Sequence, residues 1–158
     1  MASDILMPMI NQAHIAMARK TAKNAYAPYS KYRVGAVLAA ADGTLFTGCN
    51  VENAAYGSTM CAERVALFKA VSEGRRKFTS LTLAAGTDSI GVPCGACLQV
   101  LAEFCDGDMP VICAGLTGKI IRAFRLRDLL PHAFTLGIKK SSVVIRQPSV
   151  ETAVSTDD

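Results

Sequence analysis

Apolar and polar positions alternate along this chain with two periods, and the switches between them mark out the elements. From Pro8 to Lys23 apolar residues recur at Met9, Ile10, Ala13, Met17 and Ala18. Arg19, Lys20 and Lys23 come late, which predicts an amphipathic helix with its cations at the favourable end. Val34–Ala40 and Thr44–Asn50 are short apolar runs joined by Ala41-Asp42-Gly43, the chemistry of a hairpin. Thr59–Gly74 reads as a buried helix, with Thr59 expected at its N-cap and Gly74 just past its end.

Leu81–Ala85 is expected as a third strand. A helix opening at Pro93-Cys94 and running through Cys105 to a stop at Gly107 follows, and then Pro110–Ala114 as a fourth strand. The third and fourth strands each follow a helix, which predicts crossovers and parallel neighbours. Gly115–Gly118 is too short for a crossover, so Lys119–Phe124 must return antiparallel. Arg127–Leu130 suits a short helix ended by Pro131, and Ser142–Ile145 leaves room for one more strand. The expected fold is α/β: a three-layer α/β/α sandwich around a mixed five-stranded sheet. One domain over residues 1–158 is expected, with 146–158 as a loose polar tail.

Composition narrows the class without naming it. Half the residues are apolar, the net charge is +4, and no apolar run has the length of a membrane span. The basic residues are scattered, so no nucleic-acid partner and no membrane partner is expected. No basic region precedes the first apolar residues, which points to the cytoplasm. In a reducing compartment, six cysteines are better explained by metal ligands and small core residues than by disulfides. Cys49, Cys105 and Cys113 sit in apolar runs and read as packing.

The other three cysteines carry the chemistry. Cys61 stands in the first turn of an apolar helix beside Glu63 and Arg64, groups a burying helix avoids unless each has a partner. Cys94 and Cys97, three residues apart, project from one face of the next helix's first turn. Helix N-termini lower a thiol's pKa, and the thiolate is the form that binds metal. Three thiolates hold a tetrahedral zinc and leave a position for water, the layout of a catalytic site. A redox pair at Cys94 and Cys97 alone leaves Cys61 and Glu63 unexplained. A structural zinc needs a fourth ligand, and neither His14 nor His132 lies near a motif.

Cys61-x-Glu63 on one helix and Pro93-Cys94-x-x-Cys97 on the next is similar to the pattern of zinc deaminases, in which the glutamate moves protons and does not bind metal. Together with Tyr26–Ala36 (YAPYSKYRVGA), Gly48–Tyr56 (GCNVENAAY) and Cys61–Arg64 (CAER), these motifs resemble the small homotetrameric cytidine deaminases. The resemblance runs from about Asn11 to Phe134.

What it implies is specific. One zinc ion per subunit would be held by Cys61, Cys94 and Cys97, with Glu63 as the catalytic acid and base. Arg64 would hydrogen-bond to ligand sulfurs and offset the negative charge of a three-thiolate site. Asn50 and Glu52 would hold the ribose hydroxyl, their alternative being loop capping. Tyr32, Ala62 and Tyr56 would contact the nucleoside, and Phe134 would complete a neighbouring subunit's pocket in a homotetramer. The implied reaction is hydrolytic deamination of cytidine and deoxycytidine in pyrimidine salvage. A modified cytosine nucleoside as substrate, and a zinc or thiol binding module without catalysis, remain alternatives. Leu98 stands where the family usually has arginine, and the sequence after Phe134 lacks the usual glycine-proline ending.

Overall fold

The computed structural model describes residues 10–87 and 89–136. The element order is α1 (Gln12–Ala22), β1 (Val34–Ala40), β2 (Leu45–Cys49), a 3-10 turn (Tyr56–Ser58), α2 (Ala62–Ser72), β3 (Phe78–Ala85), α3 (Gly95–Phe104), β4 (Pro110–Ala114), β5 (Ile121–Arg125) and α4 (Leu126–Leu129). The five strands form one sheet in the order β2-β1-β3-β4-β5. Helix α1 packs on one face through Ile15 and Ala18, which meet Ile112 and Ala114, and Val37 and Ala84. Helices α2 and α3 bury Ala66, Leu67, Leu98 and Leu101 on the other face against Ala36, Leu38, Leu83 and Val111. The expected three-layer sandwich with a mixed five-stranded sheet is therefore present.

Sheet order holds the one topological correction. β3 and β4 are parallel neighbours, paired Leu81 to Val111, as a crossover through α3 requires. The crossover through α2 behaves differently: β2 and β3 run the same way, but β1 lies between them and is antiparallel to both. This order sets the site. The chain leaves β2 at Cys49, leaves β3 at Ala85 and enters β1 at Val34, all at one end of the sheet, where Gly35 pairs with Cys49 and Val34 with Ala85. Ligands bind outside the carboxyl ends of strands in open α/β sheets, and both thiol-bearing loops open onto that end.

Helix ends differ from the sequence expectations in instructive ways. Helix α1 starts after Asn11, whose Oδ1 accepts from the Ala13 and His14 amides, and its buried stripe is Ile15, Ala18 and Ala22; the Pro8 end of the expected helix lies outside the described residues. Helix α2 is capped by Cys61 rather than Thr59. Helix α3 ends at Phe104, because Cys105 is already extended, so Gly107 does not close it. Strand β3 begins three residues early, at Phe78, where it pairs with Ala40.

Gly74 closes α2 as expected, with φ +87 and its amide bonded to Val71 O. A Cβ there would meet nothing within 4 Å. Gly74→Ala should therefore cost only the left-handed backbone strain, about 1 kcal/mol in a urea melt, with metal content unchanged. The expectations on Ser142–Ile145 and on the 146–158 tail lie outside the described residues.

Candidate active site

The N-termini of α2 and α3 meet at the open end of the sheet. Each is capped by a cysteine in extended conformation, Cys61 (φ −72, ψ 154) and Cys94 (φ −72, ψ 163), and neither thiol folds back to cap its own helix. The sulfurs instead face each other. Cys61 Sγ lies 3.9 Å from Cys94 Sγ, and Cys94 Sγ lies 3.5 Å from Cys97 Sγ. All three sulfurs fall within 4.8 Å of one another, and none is in a disulfide. Among the described residues this is the one cluster of metal-ligating type, and neither histidine belongs to it.

The donor set fits zinc. Tetrahedral Zn–S bonds of about 2.3 Å place sulfurs about 3.8 Å apart, close to the spacing found. The sulfurs also share charge unequally. The Cys61 thiol is pulled down to about 5, chiefly by its contact with Cys97 and further by Arg64. The buried Cys97 thiol is pushed up by the same contact. A cluster that ionises at one sulfur and resists at the next is one that a dication completes.

Arg64 lies against this cluster. Its Nη2 donates to Thr59 O at 3.2 Å and to Cys61 Sγ at 3.6 Å, and this bond to sulfur raises its own pKa. Its Nε is buried and has no hydrogen-bond partner among the described residues. The guanidinium is thus committed to the cysteine side of the helix rather than to solvent. Arg64→Ala should lower zinc affinity and turnover together by about 10- to 100-fold, read by metal content after dialysis and by rate. Unchanged metal content and rate would remove its role.

Glu63 is 5% exposed and sits in the first turn of α2, two residues after Cys61. Burial, reinforced by the Cys61 thiolate, raises its carboxyl to about 7, where it gives and takes protons readily. Ala62 is fully buried in the core, so its side chain cannot touch a ligand, and its backbone N–H at the helix start is the group available.

Asn50 and Glu52 turn out to be loop straps. Asn50 Oδ1 accepts from the Val34 amide at 2.8 Å, and its Nδ2 donates to Tyr32 O at 2.8 Å. Glu52 Oε2 accepts from the amides of Tyr29 and Ser30, and Oε1 from the Ser30 hydroxyl. Burial would raise the Glu52 carboxyl, but these bonds outweigh it and hold it below its ordinary value. Glu52 Oε1 and the second Asn50 N–H keep hydrogen-bonding capacity. Both residues therefore hold the 29–34 loop, and with it Tyr32, over the site.

Tyr32 is half-exposed, and its hydroxyl is so close to Gly91 that a Cβ on Gly91 would lie 2.6 Å from it. Burial raises its phenol, and the charge of Glu63 adds to this. Tyr56 is exposed and meets Tyr29 edge to face at 5.8 Å. Phe134 is 68% exposed and is not part of this constellation. The three remaining cysteines fit packing: Cys105 and Cys113 are buried, and burial pushes the Cys113 thiol up to about 12. Cys49 is half-buried. Ser30, Gly48 and Gly91 shape the site without a chemical signature in the sequence, although a glycine inside an apolar strand such as Gly48 signals a close backbone approach.

A mixed sheet bearing three convergent thiols and a buried carboxylate at its open end is the architecture of the zinc-binding deaminase class. Residues 9–113 match the family model for the cytidine and deoxycytidylate deaminase zinc-binding region, and the chain belongs to that family. A cytidine deaminase of Sporosarcina psychrophila is 53% identical over 121 residues, covering 77% of this chain and 88% of that protein. One from Mycobacterium tuberculosis strain H37Rv is 41% identical over 119 residues, covering 75% and 85%. The crystal structure of cytidine deaminase from Burkholderia pseudomallei superposes with a TM-score of 0.75 at 43% identity, covering 80% of this chain and 100% of that one. No helix among the described residues is long and apolar enough to cross a membrane.

Proposed function

We propose that this chain hydrolyses the exocyclic amine of cytidine and deoxycytidine, consuming water and releasing ammonia with uridine or deoxyuridine, in pyrimidine salvage. The observation that carries the reading is the buried Glu63 carboxylate in the same helix turn as one of three converging sulfurs. Cys61, Cys94 and Cys97 would hold one zinc ion per subunit. Bound there, zinc supplies Lewis acidity that brings the pKa of water toward neutrality. Glu63 takes the proton from water, delivers it to ring N3 so that C4 becomes electrophilic, and later protonates the departing amine. A carboxyl poised near neutrality can do all three.

The rest of the site orients the nucleoside. The backbone N–H of Ala62 faces a base carbonyl from the helix start, where the dipole favours an acceptor. Asn50 and Glu52 offer their remaining hydrogen-bond capacity to a ribose hydroxyl while keeping the 29–34 loop in place. Tyr32 and Tyr56 supply aromatic surface. The protein works as a homotetramer in the cytoplasm, with Phe134 of one subunit closing the pocket of another. Helix geometry supports that sharing. Gln99, which holds Phe134, is two residues past Cys97 and so about 200° around α3, on the side turned away from the subunit's own sulfurs.

The test follows the ultraviolet loss of the cytosine chromophore across cytidine, deoxycytidine, free cytosine, CMP and a short single-stranded oligonucleotide. Both nucleosides should be consumed, and free cytosine, which lacks the sugar, should be rejected by several orders of magnitude. Turnover of the oligonucleotide, or of none of the five, would overturn the reading.

A further inference from the structure

We infer that Gln99 is a positioning residue for Phe134, a clamp that fixes the aromatic ring offered to a neighbouring subunit's nucleoside pocket; this rests on the shared-pocket reading above. Phe134 follows α4 in a stretch without regular structure, and its side chain is 68% exposed. An exposed ring at such a point has no reason to hold one direction. Yet its backbone is gripped twice by one side chain 35 residues earlier. Gln99 Nε2 donates to Phe134 O at 2.8 Å, and Gln99 Oε1 accepts from Phe134 N at 3.0 Å. A primary amide matched to both backbone groups of one residue copies a two-stranded β pairing, and it fixes the peptide plane as well as the position.

The clamp stands on a helix anchored in the core. Gln99 lies on α3, whose first turn carries Cys97 and whose N-cap is Cys94. Leu98 beside it is buried in the core, as is Leu101. Farther along α3, Ala102 and Glu103 line one wall of an open pocket whose other wall is formed by Leu130, Pro131, Ala133 and Phe134. The helix that places two ligand sulfurs for its own site therefore also places the ring for a neighbour's. Pre-setting the ring removes an ordering cost from nucleoside binding, so the expected signature is in binding and not in the chemical step.

The test is a double-mutant cycle on the zinc-loaded, full-length enzyme with cytidine as substrate. Gln99→Met keeps the side-chain length and removes both bonds; it should raise KM about tenfold with kcat within about twofold and zinc content unchanged. Phe134→Ala should raise KM at least as much. Adding Gln99→Met to Phe134→Ala should change KM by less than about twofold, because the clamp then has no ring to place. Additive effects of the two substitutions, or an unchanged KM in Gln99→Met alone, would overturn the clamp while leaving the shared pocket standing. An unchanged KM in Phe134→Ala would remove the shared-pocket reading and the clamp with it. Gln99→Glu gives the folding control: it keeps the acceptor for Phe134 N, puts a carboxylate against Phe134 O, and should raise KM at least as much as Gln99→Met with an unchanged urea midpoint. A midpoint that falls as KM rises would make Gln99 a structural residue only.

Discussion

Replacing Glu63 by glutamine is expected to lower kcat for cytidine by about 10⁴-fold while zinc content stays at the wild-type level. The amide matches the carboxylate in size and fills the same buried place in the first turn of α2. It can neither take a proton from water nor return one to the amine. Because Glu63 is not among the three clustered sulfurs, the metal should stay. The same substitution makes a second, thermodynamic prediction with a definite sign. Burial raises the Glu63 carboxyl from its ordinary value to about 7. A raised acid penalises the fold wherever the unfolded chain would ionise and the folded one resists. The penalty is absent below about pH 4, grows through the interval up to 7 and is constant above it. Metal-stripped Glu63→Gln should therefore be more stable than metal-stripped wild type at pH 8, by an amount on the order of 3 kcal/mol, and nearly equal to it at pH 4. Urea midpoints at the two pH values decide it. A variant that keeps wild-type turnover, or that loses zinc along with activity, would take the proton-transfer role from Glu63.

Why these two helix tips could be read from the sequence, and much around them could not, is a matter of range. Cys94 and Cys97, three apart on one helix turn, face one way by local geometry alone, and Cys61 and Glu63 are legible because both stand at the first turn of one helix. The parallel pairing of β3 and β4 is legible for the same reason, since one helix of crossover leaves few choices. That β1 lies between β2 and β3 is not legible, because the choice between neighbours is made by how α2 and α3 cover the sheet rather than by any residue in the strands. The cap of α2 is not legible in the sequence, because Thr59 is the better N-capping side chain by composition. In the structure Met60 pairs with Val51, which keeps the chain extended through Cys61 and delays the helix. Asn50 and Glu52 show a loop-holding role that the motif does not carry. Their motif names them as ligand-binding residues, yet most of their hydrogen bonds go to a loop about twenty positions earlier. A motif records which residues are kept near a site, and a strap that shapes the site is kept as firmly as a group that touches the ligand.

Gly48→Ala should be severely damaging, because a methyl there has no room between β2 and α2. Gly48 lies in β2 directly beneath α2, and a Cβ there would lie 2.3 Å from Ala62 O and 2.6 Å from Ala66 N. Both neighbours are helix backbone, so no side chain can swing aside. Carbon atoms in ordinary contact stand about 3.5 Å from such neighbours, so strand and helix must part by roughly 1 Å. The cost should be about 3 kcal/mol or more, as for other overpacked cores, or roughly 6–12 °C in Tm. The direction of the displacement matters as much as its size. Ala62 is the first residue of α2, flanked by Cys61 and Glu63, so lifting it moves one sulfur off the other two and the carboxylate with it. Zinc affinity should fall together with stability, and adding excess zinc should recover part of both, since a ligand of the native state alone stabilises it by mass action. Gly74→Ala, at the far end of the same helix with open space around its Cβ, gives the contrast. If Gly48→Ala melts and holds metal like Gly74→Ala, then the seating of α2 on β2 does not set the spacing of the sulfurs, and that spacing must be held from the α3 side alone.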